Sequence, residues 1–225
     1  MLEAIILAGG FGTRLSKVVP DVPKPMAPVA GRPFLVILLN YLAHKGFDRV
    51  ILSLGYKAEM ISAYFGNDFA GMKIEYVVEE SPLGTGGAVR FALEMCSEDQ
   101  FFVFNGDTFL DLDSCDLGKL LLSLTNPLII GCHVNDTARY GRLIMNNNCL
   151  IGFKEKGVVG PGLINAGCYA LRKSHLDEFL LGEPFSLEND FFLNKAVSID
   201  VYVTKGKFID IGVPEDFHRA QKLLA

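Results

Sequence analysis

Two aspartates near opposite ends of the chain, Asp107 and Asp210, are placed where a carboxylate suggests chemistry. Asp107 follows the apolar run Phe101-Phe102-Val103-Phe104 through Asn105-Gly106. A carboxylate at the C-terminal end of such a strand, beside a glycine, points into the crevice where open α/β sheets bind ligands. Asp210 interrupts the apolar stretch Phe208-Ile209-Asp210-Ile211-Gly212. Burying a lone carboxylate is costly, so a metal or a cation should accompany it, with a structural salt bridge or a helix cap as the plainer alternative. Mg²⁺ takes one or two carboxylates and completes its shell with water and substrate phosphates, a need that this pair meets.

A second constellation lies at the N-terminus. Gly9-Gly10-Phe11-Gly12-Thr13-Arg14-Leu15 follows the first apolar run directly, and Pro23-Lys24-Pro25-Met26 comes shortly after. A glycine-rich turn at the end of a parallel strand lets backbone N–H groups approach phosphates closely. No Gly-Lys-Ser/Thr follows at Walker A spacing, and the third glycine of a dinucleotide fingerprint is missing. The glycines alone fit a plain strand-to-loop turn equally well. Arg14 and Lys24 favour a triphosphate, because Arg supplies a planar fork of donors and Lys a point charge. The prolines flanking Lys24 restrict the backbone that carries it. Asp111-Leu112-Asp113 spells the D-x-D of metal-dependent glycosyltransferases, but it reads as a solvated turn before a helix, with Asp116 near enough to cap.

The elements that must position these residues alternate in type. Strand-like runs at Ala4–Leu7, Arg49–Leu54, Lys73–Glu79, Phe101–Asn105 and Leu128–Val134 are separated by helical patterns at Phe34–His44, Ala58–Phe65 and Gly87–Met95. The first four runs are nearly continuously apolar or β-branched, as expected of strands covered on both faces. A β-α-β-α series implies right-handed crossovers and a largely parallel sheet. Beyond Asn135 the pieces shorten: Arg142–Met145, Leu150–Lys154, Ile164–Leu171, Asp200–Thr204 and Lys207–Ile211 read as strands broken by Asn and Gly turns. A helix is expected over Leu187–Ala196, and Pro214 opens a final one over Glu215–Leu224. One α/β domain fits, with a nucleotide-binding half over 1–135 and a more irregular half over 136–225.

Bulk properties narrow the partners. Half of the 225 residues are apolar and 21% are charged, an ordinary globular composition. A net charge of −5 and a pI near 5.4 argue against a nucleic-acid footprint. No run approaches the ~18 apolar residues of a membrane span, and the acidic start lacks the basic region of an export signal. Cys96, Cys115, Cys132, Cys149 and Cys168 are odd in number and form no C-x-x-C pair, which points to reduced thiols in the cytoplasm.

The stretch Leu7-Ala8-Gly9-Gly10-Phe11-Gly12-Thr13-Arg14-Leu15 with Pro23-Lys24-Pro25-Met26 resembles the signature of the sugar-1-phosphate nucleotidyltransferase family. Further matches follow in family order and span nearly the whole chain: Pro82-Leu83-Gly84-Thr85-Gly86-Gly87-Ala88, Asn105-Gly106-Asp107, Glu155-Lys156, Asn165-Ala166-Gly167 and Asp210-Ile211-Gly212-Val213-Pro214. Among subfamilies the D-glycero-α-D-manno-heptose 1-phosphate guanylyltransferases are most similar. The resemblance implies a single Rossmann-like domain with a mixed, mostly parallel sheet flanked by helices, without the C-terminal β-helix domain of some relatives. It implies transfer of a nucleotidyl group from an NTP to a sugar 1-phosphate for surface-polysaccharide precursors, by Mg²⁺-assisted in-line attack on the α-phosphorus. A homodimer is the assembly that the family suggests.

By the same resemblance Arg14 and Lys24 serve the triphosphate, and Asp107 and Asp210 hold Mg²⁺. Leu7, Ala8, Gly9, Gly10, Gly12, Thr13, Glu79, Pro82, Gly84, Thr85, Asn105 and Gly106 bind the nucleotide. Lys156 meets the sugar phosphate, while Glu155, Asn165, Ala166 and Gly167 hold sugar hydroxyls. Plainer readings exist for the last group: a solvated charge run over Lys154-Glu155-Lys156 and a β-bulge at Asn165-Ala166-Gly167. Relatives often carry Trp two residues before the second aspartate; Phe208 stands there, which should alter packing more than chemistry. A carboxylate from Glu79 or Glu80 facing the base would accept from the two adjacent donors of guanine and repel the acceptor edges of the other bases. GTP is therefore expected, with UTP second; heptose and mannose 1-phosphates differ only at the far end of the sugar.

Overall fold

The computed structural model describes residues 1–15, 18–112, 116–147, 149–154, 157–193 and 198–225. In chain order the strands of the first half are β1 (Glu3–Leu7), β2 (Pro28–Val29), β3 (Arg32–Pro33), β4 (Arg49–Leu54), β5 (Asp68–Phe69), β6 (Met72–Val78), β7 (Gln100–Asn105) and β8 (Thr108–Leu110). Those of the second half are β9 (Leu128–Val134), β10 (Arg142–Asn146), β11 (Cys149–Lys154), β12 (Gly162–Arg172), β13 (Asp200–Thr204) and β14 (Phe208–Asp210). The α-helices are α1 (Phe34–His44), α2 (Ala58–Phe65), α3 (Gly84–Ala92), α4 (Leu117–Leu122) and α5 (Pro214–Leu223).

Ten strands form one mixed sheet in the order β10-β11-β13-β9-β12-β7-β1-β4-β6-β5. The block β7-β1-β4-β6 is parallel throughout, and β12 runs antiparallel to both β7 and β9. From β1 the chain moves outward to β4 and β6 on one side, then returns to place β7 on the other. The C-terminal ends of β1 and β7 thus form a topological switch point, the position where such sheets bind ligands.

Alternation along the strands sorts the core into two layers. Ala4, Ile6, Val50, Leu52, Phe102 and Phe104 face α1 and α2, where Leu35, Leu39, Leu42 and Ile61 are buried. Ile5, Ile51, Phe101 and Val103 face Val89, Ala92, Tyr169 and Phe191. A third cluster lies beneath the glycine loop: Leu15, Ala27, Phe34, Phe109, Ile209, Ile211 and Phe217. This cluster anchors the segments that carry Lys24, Asp107 and Asp210, so burial of apolar neighbours holds the polar site in place.

Three expectations need correction. The run at Lys73–Glu79 is not covered on both faces: β6 is next to the sheet edge, and in it only Met72 and Ile74 are buried. The helix expected from Gly87 begins at Gly84. Its glycines permit close approach to another segment: the Phe185 carbonyl accepts from the N–H groups of Gly86 and Gly87, and a Cβ on Gly84 would lie 2.6 Å from that carbonyl oxygen. The helix expected over Leu187–Ala196 is a π-helical turn over Leu187–Phe192, with residues 194–197 outside the described set. Pro214 does open the last helix, and the Asp116 carboxylate accepts from Lys119 N–H as the cap of α4.

Candidate functional site

Three adjoining cavities lie along the switch-point edge of the sheet. The first, about 510 Å³, is lined by Leu7, Gly9, Gly10, Pro82, Gly84, Thr85 and Asn105, with Glu79 and Asp107 on its walls. The second, about 200 Å³, is lined by Ala8, Gly12, Thr13, Arg14, Lys24, Gly106 and Asp107. The third, about 1000 Å³, is lined by Arg14, Arg139, Tyr140, Asn165, Glu188 and Asp210. Asp107 borders the first two and Arg14 the last two, so the cavities form one continuous series.

The two aspartates meet through a pair of short strands. β8 and β14 are antiparallel with Thr108 opposite Asp210, and Ile211 N–H donates to the Asp107 carbonyl at 2.9 Å. Lys24, in a 3₁₀ turn between the buried Pro23 and Pro25, ion-pairs with Asp107. Burial, and then the nearby charge of Asp107, push the Asp210 carboxyl above its ordinary value, against the pull of Lys24. Gly212 N–H donates to Asp210 Oδ1 at 2.5 Å. Asp107 on the phosphate-sized cavity and Asp210 on the third are brought close by the β8–β14 pair, a donor set of hard oxygens suited to a divalent cation.

The glycine loop is shaped by close approach. Gly12 has φ +60° and a Cβ there would sit 2.8 Å from Lys24 Cβ. Gly106 N–H donates to the Leu7 carbonyl at 2.9 Å, and a Cβ on Gly106 would collide with that same oxygen. Arg14 is exposed between the second and third cavities, with no hydrogen bond or ion pair to any described residue. It is free to meet an anion.

Glu79 and Glu80 differ in commitment. Glu79 Oε1 accepts from the Ser53 hydroxyl at 3.1 Å and Oε2 from Leu83 N–H at 3.0 Å, tying β4 to the loop before α3. Glu80 is exposed, lines the first cavity and has no hydrogen bond to a described residue.

The Asn165-Ala166-Gly167 segment is both a bulge and a wall. Pairing of β12 with β9 shifts register between Asn165 and Cys168. Gly167 has φ +66° and packs against Asn105, while the Asn165 side-chain Oδ1 accepts from Gly167 N–H. Ala166 is buried, and the Asn165 side chain reaches the third cavity. Glu155 and Lys156 lie outside the described residues, as does Asp113 of the D-x-D pair. Asp111 is not in a solvated turn: its carboxylate accepts from Tyr41 and its neighbour Leu112 is fully buried.

Sequence reasoning missed Arg139 and Glu188 and assigned Tyr140 no role. Arg139 pairs with the buried Asp216 at 2.6 Å, and the Tyr140 hydroxyl donates to the same carboxylate at 3.1 Å. Burial and the Asp216 charge push the Tyr140 phenol upward. Phe208 packs edge-on against Tyr140 with centroids 5.4 Å apart. The aromatic pair Phe11 and Tyr56, 5.7 Å apart, flanks the first cavity, and its signal was Phe11 inside the glycine loop.

Comparison with known proteins agrees with this geometry. The family model for nucleotidyl transferases matches residues 3–225. The chain is 42% identical over 226 residues to a D-glycero-α-D-manno-heptose 1-phosphate guanylyltransferase of Aneurinibacillus thermoaerophilus, spanning 99% of this chain and 98% of that one. It is 37% identical to a mannose-1-phosphate guanylyltransferase of Mycobacterium tuberculosis, spanning 97% of this chain and 63% of that longer protein. Among solved structures, HddC from Yersinia pseudotuberculosis complexed with GMP-PN superposes at a TM-score of 0.90 with 39% identity, both chains covered in full.

Proposed function

The chain belongs to the nucleotidyl transferase family, and from that membership we propose that it transfers GMP from GTP to D-glycero-α-D-manno-heptose 1-phosphate, releasing pyrophosphate and forming a GDP-sugar. The observation that carries this reading is the succession of cavities: a base-sized cleft, a phosphate-sized one with Arg14, Lys24 and Asp107, and a wide one bordered by Asp210. Nucleotide, reacting phosphates and sugar have separate places in that series. Residues 1–135 line the first two cavities apart from Gly212, and 136–225 supply most of the third, which supports the division into a nucleotide half and a sugar half.

The sugar 1-phosphate brings its own anionic oxygen, so no general base is needed. That oxygen attacks the α-phosphorus in line, the bond to the β-phosphate oxygen breaks, and pyrophosphate leaves with the charge. Catalysis then rests on positioning and charge neutralisation. Arg14 offers its fork to phosphate oxygens from the boundary of the second and third cavities, and Lys24 contributes a charge held by Pro23 and Pro25. Asp107 and Asp210 would hold Mg²⁺, which supplies further neutralisation on the phosphates when bound. Family order assigns Lys156 to the sugar phosphate and Glu155 to its hydroxyls.

Base choice falls to Glu80 rather than Glu79 in this reading. Turning Glu79 to the base would break its ties to Ser53 and the Leu83 backbone, whereas Glu80 lines the first cavity with no described partner and can accept from guanine N1–H and N2–H₂. The guanylyltransferase relatives and the GMP-PN bound to HddC favour the same base. Mannose 1-phosphate is the second reading of the sugar, supported by the mycobacterial relative. We place the reaction in the cytoplasm, where the GDP-sugar would feed surface-polysaccharide synthesis; among the described residues no helix is long and apolar enough to cross a membrane.

The test is pyrophosphate release from each of four NTPs combined with heptose, mannose and glucose 1-phosphates. GTP with the heptose 1-phosphate should give the highest kcat/KM. Turnover with another base, or preference for glucose 1-phosphate, would overturn the assignment.

A further inference from the structure

Glu188 occupies the wall of the third cavity on the π-helical turn over Leu187–Phe192, an irregularity common at functional sites. Its carboxylate accepts from three neutral hydroxyls: Tyr169 on Oε1 at 2.9 Å, and Thr85 and Ser186 on Oε2 at 2.9 and 3.0 Å. Tyr169 OH already accepts from Asn165 Nδ2, Thr85 Oγ1 from Leu187 N–H, and Ser186 Oγ from Asn189 N–H. An ionised carboxylate has no hydrogen to give, so it accepts in all three bonds, and each hydroxyl keeps a lone pair for its N–H donor.

A carboxylate has about four lone-pair positions, so these three donors leave one for a further donor on a residue that lines the third cavity. We propose that this position accepts a hydroxyl of the sugar 1-phosphate, making Glu188 a sugar-binding residue and a determinant of sugar specificity. The inference rests on the reading of the third cavity as the sugar site. Charge supports the orientation: Arg14, on the same cavity, draws the phosphate end, while Glu188 repels it and takes the neutral hydroxyl end. Tyr169 is 1% exposed and holds the carboxylate from beneath, so Glu188 has little freedom to adapt to a sugar of different shape. Through Thr85, on the first turn of α3, the same carboxylate is also joined to the wall of the first cavity.

The test pairs Glu188→Gln with singly deoxygenated analogues of the heptose 1-phosphate, with pyrophosphate release as the readout. In the unmodified enzyme one deoxy analogue should lose about tenfold or more in kcat/KM, because a site built for a hydroxyl penalises its absence. Glu188→Gln should lose a similar factor on the parent sugar, carried mainly by KM for the sugar. It should then be insensitive to that one deoxygenation, with KM for GTP nearly unchanged. If every analogue is penalised by the same factor in both enzymes, Glu188 does not touch the sugar and the proposal fails. Should the Gln variant not fold, Glu188→Asp retains the charge, shortens the reach and should show the same selective loss. Absence of pyrophosphate from the unmodified enzyme with every sugar 1-phosphate would instead bring down the function itself, and this inference with it.

Discussion

Asp210 illustrates a side chain kept against its own electrostatic preference. Its carboxylate is partly buried and faces the charge of Asp107, so ionisation works against the fold. Asp210→Asn retains an acceptor for Gly212 N–H and removes that repulsion. Its melting temperature should equal or exceed that of the unmodified protein, while pyrophosphate release falls by on the order of a hundredfold or more. Retained turnover would make the residue structural. Arg14 carries the complementary prediction. Arg14→Lys preserves charge but removes the planar fork, so kcat/KM should fall by roughly tenfold with unaltered thermal stability, since no described residue leans on the guanidinium. Glu79 and Glu80 divide similarly. Glu80→Gln should narrow the GTP-over-UTP ratio of kcat/KM with stability intact, whereas Glu79→Gln should lower the melting temperature, because Glu79 ties Ser53 to the Leu83 backbone.

The start of α3 shows how an element can be defined by what packs against it. Gly84, Gly86 and Gly87 admit the 183–185 segment so closely that side chains are excluded. Gly84→Ala would place a Cβ against the Phe185 carbonyl at a backbone φ of +71°, costing about 1–2 kcal/mol in conformation alone. A melting temperature lowered by several degrees, with weaker nucleotide binding by calorimetry, is the expected outcome. Unchanged values for both would mean that the approach of the two segments is not needed. The β8–β14 pair has the same character on the catalytic side: each strand has three residues, yet together they bring Asp107 and Asp210 to one place.

The thiols report on the integrity of the two-layered core. Burial pushes Cys96 up to about 12, aided by Glu3, and burial alone pushes Cys132 up to about 12. In the unfolded chain a thiol ionises near 8.5, so above about that pH the unfolded state releases protons that the folded state retains. Stability is therefore undiminished by these groups below about pH 8.5 and declines as pH rises toward 12. At pH 8 a thiol reagent should modify Cys96 and Cys132 slowly in the native protein and fast in denaturant. Rapid native modification would show that the layers open readily.

Much was legible in the amino-acid order alone. β4, α1, α2, β9 and β13 fall where their periodicity places them, because helical and strand patterns are written in near neighbours and each face needs its own apolar residues. The glycine loop, Arg14, Lys24 and both aspartates could be named because close backbone approach and charge recognition demand particular residue types. Convergence was a different matter. That Asp210 feels Asp107 depends on a hydrogen-bonded pairing between distant segments, and no local pattern carries pairing partners. Glu188 falls in the stretch expected to be a helix over Leu187–Ala196 and nothing in the sequence singled it out. Only its three hydroxyl donors, two of them brought from β12 and α3, give it a face toward the sugar cavity. Gly84 and Gly86 fell outside the helix expected from Gly87 because the segment they pack against lies a hundred residues away in the chain, at Glu183 and Phe185. Side-chain type and spacing specify elements, whereas packing between elements decides which of those side chains meet.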